Sequence, residues 1–220
     1  MLEIDEVIAM NQFLSPTTSV GRALRKEHPS NLWKNRLPAI SCAITLLLYA
    51  GVGIAEDNID AKSFHCITEM TQVRQFYVDN VLGNLDATLA VANSATGGTY
   101  PAGSVIQLIP GEAMVKLDRG SNSATHDWEF FQLDVSKDGT QIQKRGFGEV
   151  ANRSGSCLGC HVQARPQWDL VCEMDHGCAP IPVTRAMIGA LQRTDPRCKT
   201  RTISPEDADA LKQLNELMKP

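Results

Sequence analysis

Nowhere in this chain does a run of lysine and arginine interleave with aromatic residues, and the formal net charge is −4 over 220 residues. The electrostatic footprint of a nucleic-acid binder is therefore missing, and no nucleic-acid partner is expected. No internal repeat is visible, and the length is short for two full domains. The first 36 residues lack a sustained amphipathic period and are not assigned a fold. An overlong start is one explanation for them, with Met10 as an alternative first residue. What the chain does have is 43% hydrophobic residues, enough for one compact core.

Residues Leu37 to Ala55, LPAISCAITLLLYAGVGIA, form a continuous apolar and small-residue run. Lys34 and Arg36 precede it and the polar EDNID comes after it. A basic n-region, an apolar h-region and a Gly53-Ile54-Ala55 cleavage site read as a secretory signal peptide ending at Ala55. An uncleaved membrane anchor is the alternative, since 19 residues just reach across a bilayer. Both readings export the chain beyond residue 55, because the positive charge lies on the N-terminal side of the apolar run. The expected organisation is a 1–55 extension and signal, then a single periplasmic domain over 56–220. Residues 1–55 hold five of the basic and four of the acidic residues, which leaves 16 against 21 in the exported part.

Within that part, Ile67, Met70, Val73, Phe76, Tyr77, Val81, Leu85 and Leu89 recur at spacings of three and four, which predicts a helix over 67–92 with a break at Gly83-Asn84. NSATGGTYPAGS reads as a loop, with Pro101-Ala102-Gly103 as a turn. Val105–Ile109, Ala113–Leu117, Trp128–Val135 and Thr140–Arg145 have strand composition and are separated by turn-formers, SKDG among them, which predicts an antiparallel meander. A short helix is expected over Thr184–Gln192. Another begins after Ser204 as N-cap, with Pro205 at the first position and Ala208, Leu211, Leu214 and Leu217 on one face. The expected class is α+β: an antiparallel sheet with flanking N- and C-terminal helices.

Seven cysteines occur, and Cys42 departs with the signal. The remaining six are Cys66, Cys157, Cys160, Cys172, Cys178 and Cys198. SGSCLGCHVQ places Cys157 and Cys160 three apart, with His161 directly after. Three chemistries use that spacing. In c-type haem attachment the two thiols add across the vinyl groups of one porphyrin edge, and the imidazole of His161 lies under the iron as proximal ligand. A zinc site would recruit two more donors from Cys172, His176 and Cys178, although thiolate zinc sites are less expected in an oxidising compartment. A thioredoxin-like dithiol would need a βαβ context, and the preceding segments read as a meander. Haem is the favoured reading, since its maturation takes place after export and the signal supports it independently. Four cysteines then remain and allow three pairings. Cys172–Cys178, closing a small loop, and Cys66–Cys198, joining the flanks of the domain, are favoured. The large-loop bridge is worth about 5 kcal/mol in the chain-entropy model.

The order YPAGS, a strand with AMVK, DWEFFQLDVSKDGT, a short strand, CLGCH and then Asp169-Leu170-Val171 resembles the cytochrome P-460 family, which includes the β-sheet cytochromes c-prime-beta. The resemblance covers roughly 66–175. The four-cysteine framework and the tail from Asp175 depart from the family pattern, as in a divergent branch. The resemblance implies a single haem c on a mostly antiparallel sheet, with His161 as the sole strong axial ligand. It implies too that an open sixth position could bind nitric oxide and, in the namesake members, oxidise hydroxylamine. Those members carry a lysine–porphyrin bond, whereas Val105–Ile109 carries no lysine and Lys116 is the one close by.

Candidates for the distal pocket are Phe130, Phe131, Met114 and Lys116. A core role is the plainer reading of the two phenylalanines and of Met114. Trp128 and Trp168 are expected to pack, Trp168 near the haem edge. Glu129, Asp134 and Glu149 are available as bases but read as solvated strand residues. His65, His126, His176, Met70 and Met174, with Met114, are conceivable sixth ligands that would make a six-coordinate electron carrier. Two functions stand: an exported haem protein that binds a small ligand or passes single electrons to a partner protein, and a haem oxidoreductase of hydroxylamine or nitric oxide. A disulfide-stapled or zinc-binding structural domain is the further alternative, and homodimer formation is left open.

Overall fold

From residue 71 to residue 146 each strand pairs with its neighbour in sequence. The computed structural model describes residues 59–153 and 155–219. Strands β1 (Thr71–Val73), β2 (Phe76–Asn80), β3 (Ser104–Gln107), β4 (Glu112–Lys116), β5 (Trp128–Ser136) and β6 (Gly139–Gly146) form one antiparallel sheet in that order. The hairpin β7 (Ala151–Asn152) and β8 (Gly155–Ser156) stands apart from it. Four α-helices complete the described chain: α1 (Leu85–Ala92), α2 (Cys157–His161), α3 (Arg185–Arg193) and α4 (Pro205–Leu217). This is an α+β fold.

The helix expected over 67–92 is a correction. Ile67–Glu69 is a single 3-10 turn, residues 71–80 are the β1–β2 hairpin, and only Leu85–Ala92 is helical. The cause lies at Arg74, whose φ of 53° turns the chain back so that Val73 opposes Phe76. Val73, Phe76 and Val78 then fall on one sheet face and Tyr77 on the other, so a spacing of three and four was produced by two short strands. β-branched and aromatic residues also fit a pleated surface, and pairing with β3 decides the outcome. Before the sheet, the described residues hold 3-10 turns rather than a flanking helix.

The strands alternate cleanly. Val105, Ala113, Val115, Phe131, Leu133 and Val135 join Ile59, Phe64, Ile67, Met70 and Tyr77 in the core of one face. Ile106, Met114, Trp128 and Phe130 join Val73, Phe76, Val78, Ala92, Tyr100, Val150, Leu170 and Val171 on the other. A third cluster lies between α3 and α4, from Met187, Ala190, Leu191, Ala210, Leu211 and Leu214.

In α4, Ser204 Oγ accepts from Asp207 N at 3.1 Å and Pro205 opens the helix. The buried face is rotated from the expected one: Leu217 is exposed, while Asp207 is buried because Arg193 grips its carboxylate. Cys66 bonds Cys198 and Cys172 bonds Cys178, the pairs favoured by spacing. The first joins residues 132 positions apart. No helix among the described residues is long and apolar enough to cross a membrane. The signal reading of 37–55, the cleavage after Ala55, Cys42 and Met10 lie outside the described residues.

Candidate functional site

The CLGCH pentapeptide is itself the helix α2. The hairpin β7–β8 delivers it: Cys157 N donates to Val150 O at 3.0 Å, and Ser156 caps the helix by accepting from Gly159 N at 3.1 Å. On a helix of 3.6 residues per turn, positions 157 and 160 share one side and 161 comes directly after. Cys157 and Leu158 pack against the Met114 and Phe130 face of the sheet. Cys157 and Cys160 are free and half-buried, whereas the other four described cysteines are bridged.

Burial, and then the nearby Glu112 carboxylate, push the Cys157 thiol up to about 12. At neutral pH it is a thiol, not a thiolate. That weighs against a redox dithiol, whose attacking sulfur needs a depressed pKa. Glu112 is raised from the ordinary carboxylate range by burial, opposed by a hydrogen bond from Asn152 Nδ2 at 2.7 Å.

His161 Nδ1 lies 2.6 Å from Leu170 O. A carbonyl can only accept, so Nδ1 carries the proton. Burial lowers the imidazole below its usual value, partly offset by that same bond, so the ring is held neutral with the Nε2 lone pair free. A ligating histidine whose other nitrogen is anchored to a carbonyl has this arrangement. The ring stands 5.2 Å from that of Phe130, tilted by 58°.

The segment after α2 carries the anchor. Asp169 accepts from Lys116 Nζ at 2.7 and 2.9 Å and from Tyr100 N at 2.9 Å, while its carbonyl accepts from Trp128 Nε1 at 2.7 Å. Lys116 Nζ also donates to His126 O at 2.6 Å and lies 5.0 Å over the Trp128 ring. Both charged groups are buried. Lys116, expected near a distal pocket, is therefore committed to Asp169.

Of the other expected pocket residues, Phe130 and Met114 are cross-strand partners on the motif's face. Phe131 points to the opposite face, 4.9 Å from the Phe64 ring. Glu129 is fully buried and held by Arg145, not solvated. Asp134 is half-buried, and exposed Glu149 accepts from Gly148 N. Among the candidate sixth ligands, Met70 belongs to the opposite core, Met174 is exposed, and His65 lies 3.7 Å from Asp79. His126 lies 3.4 Å from Asp169. His176 bonds Val171 O at 2.7 Å and stacks on Trp168 at 3.8 Å. Met114 alone of these shares the motif's cluster.

A zinc set drawn from Cys172, His176 and Cys178 loses both sulfurs to the disulfide. Among the described residues the one close group of three donors is Cys66, Asp195 and Cys198, and its sulfurs are bonded to each other. A cleft lined by Val91, Gly97, Tyr100, Trp168, Val171 and His176 holds none of the motif's side chains, and Phe130 closes on the His161 ring. Two free thiols on one turn and a neutral imidazole with Nε2 available are donor types that haem c uses. Val150, Leu158, Met114 and Phe130 pack around the motif, with Phe130 against the His161 ring, which counts against a preformed porphyrin cavity.

Sequence reasoning passed over Glu112 and the roles of Asp169 and Leu170. Glu112 could have been found from its period-two spacing to Met114 and Lys116, which puts all three on one face. Fold and site together define an α+β domain that carries a Cys-x-x-Cys-His helix against one face of a six-stranded meander. No family model, curated protein or solved structure matches the chain.

Proposed function

We propose that this chain is an exported mono-haem c-type cytochrome of the cytochrome P-460 kind, which binds a small ligand such as nitric oxide, transfers single electrons, or both. The observation that carries the reading is the pairing of two unbridged thiols with an imidazole whose Nδ1 is spent on Leu170 O. Cys157 and Cys160 would form the thioether links, and His161 Nε2 would hold the iron. The bound group supplies reversible ligand binding and one-electron chemistry. The protein orients the ring of His161, keeps it neutral, and surrounds the site with the apolar side chains of Val150, Leu158, Met114 and Phe130. A macrocycle held at Nε2 would require Phe130, whose ring lies 5.2 Å from the imidazole, to give way.

The ligand-binding or electron-transfer reading is preferred to an oxidoreductase of hydroxylamine or nitric oxide because Lys116, the one lysine near the expected strand, is taken up by Asp169. It is also preferred to a zinc-binding domain, since Cys172 and Cys178 are bridged.

The test is expression of the exported part in a periplasm competent for c-type maturation. The expected result is haem that stays with the chain after denaturation, and an absorption change on adding nitric oxide to the reduced protein. Haem lost on denaturation would sink the proposal. Unchanged spectra would point instead to a protein sixth ligand such as Met114, and sustained turnover of hydroxylamine would favour the oxidoreductase.

A further inference from the structure

Asp169 and Leu170 both hold left-handed backbone conformations, with φ of 49° and 63°. Aspartate visits that region at modest cost, but a bulky side chain such as leucine rarely does. Two such residues in succession persist only where the surroundings over-determine them. Here the surroundings are Lys116, Tyr100 N and Trp128 Nε1, all converging on Asp169. The side chain of Leu170 is buried, so the same turn that strains its backbone also seats it in the core and aims its carbonyl at His161.

We propose that the buried Lys116–Asp169 ion pair is a positioning device for His161: it pins the Asp169–Leu170 turn so that the Leu170 carbonyl fixes Nδ1 and leaves Nε2 presented for ligation. The pair reaches from β4 to the segment beyond the motif helix and makes no contact with the imidazole itself. Lys116 is thus a support for the proximal side of the site. The proposal rests on the haem reading for what Nε2 binds, but not for how the ring is held.

The experiment therefore begins with the chain before haem is attached. Nitrogen-15 NMR of the histidine rings should show His161 in the Nδ1–H tautomer. In Lys116→Met the ratio of Nδ1–H to Nε2–H forms at His161 should fall by about fivefold, the effect of losing one hydrogen bond of ordinary net strength. His65, which contacts Asp79 on β2, should be unaffected. Because a lone buried carboxylate endangers folding, the paired variant Lys116→Met/Asp169→Asn removes both charges together and should show the same shift. Glu129→Gln is the control: it breaks the buried pair with Arg145 on the opposite face and should leave the His161 tautomer unchanged. A His161 spectrum identical to wild type in the folded paired variant would overturn the proposal, as would an equal shift in Glu129→Gln.

In protein that has taken up haem, a weakened Nδ1 bond lowers ligand basicity. The ferrous iron–histidine stretch should then move to lower frequency in the paired variant, and an unmoved stretch would count against the proposal. If wild type retains no haem, the proposed function fails, while the tautomer comparison still decides how His161 is held.

Discussion

The two faces of the sheet are built from the same strands and do different work. On the face away from the motif, Phe131 meets Phe64 at 4.9 Å and Arg145 lies 5.0 Å over the Phe131 ring and grips Glu129, while the Cys66–Cys198 bridge ties the turn before β1 to the segment between α3 and α4. The motif's face has an apolar centre at Val78, Ile106, Met114 and Phe130, but β4 gives it a polar group at each end, Glu112 and Lys116. Period-two alternation allows this division, since each strand residue serves one face only. Phe130 and Phe131, adjacent in sequence, belong to different parts of the protein.

The comparison is broken most severely by Phe131→Ala. Removing a fully buried ring costs about 3–5 kcal/mol. Urea denaturation should record that loss, while the His161 ring signals in the still-folded fraction stay as in wild type. A changed His161 signal would mean that the two faces are coupled through the strands.

The disulfides give the next comparison. In the chain-entropy model the long Cys66–Cys198 loop is worth about 5 kcal/mol and the short Cys172–Cys178 loop about 2 kcal/mol. Replacing each pair by serine should lower stability in that order. Only the second should disturb the site, because Cys172 Sγ lies 3.7 Å from Cys160 O. Alkylation of Cys160 should quicken in Cys172→Ser/Cys178→Ser and not in Cys66→Ser/Cys198→Ser. The opposite order of reactivity would show that the short bridge does not support the motif helix.

Much of this arrangement was legible in the sequence for identifiable reasons. The meander could be read because its strands are short, β-branched and separated by turn-formers, as at SKDG between β5 and β6. Of the C-terminal helices, α4 could be read because Ser204 caps it and α3 from its helical pattern, although Thr184, expected inside α3, is its N-cap. The N-terminal part could not, because two strands joined at Arg74 mimic a helical period. The three residues of the motif were legible by spacing alone. Their support was not: Lys116 and Asp169 are 53 positions apart, and only the fold brings them together. Buried charge also misleads a reader of sequence, since Glu129 and Asp207 look solvated until Arg145 and Arg193 are placed beside them.

The smallest effect concerns Glu112, and its sign separates it from a carboxylate that is paired. Asp207 is held below its ordinary value chiefly by hydrogen bonding to Arg193, so the stability it lends is present above pH 3.8 and lost as pH falls through its folded value. Glu112 runs the other way. Burial raises it above 4.5, so its contribution is fully present below pH 4.5 and is lost as pH rises through the folded value, because the unfolded chain ionises first. Glu112→Gln removes that titration and can still accept from Asn152. The stability difference between variant and wild type should therefore grow in the variant's favour as pH rises above 4.5, by at most about 1.4 kcal/mol per pH unit. The same substitution takes a negative charge away from Cys157, whose thiol should then titrate lower and alkylate faster at a given pH. An unchanged alkylation rate would mean that burial alone governs Cys157, and that the polar end of β4 has no hold on the motif helix.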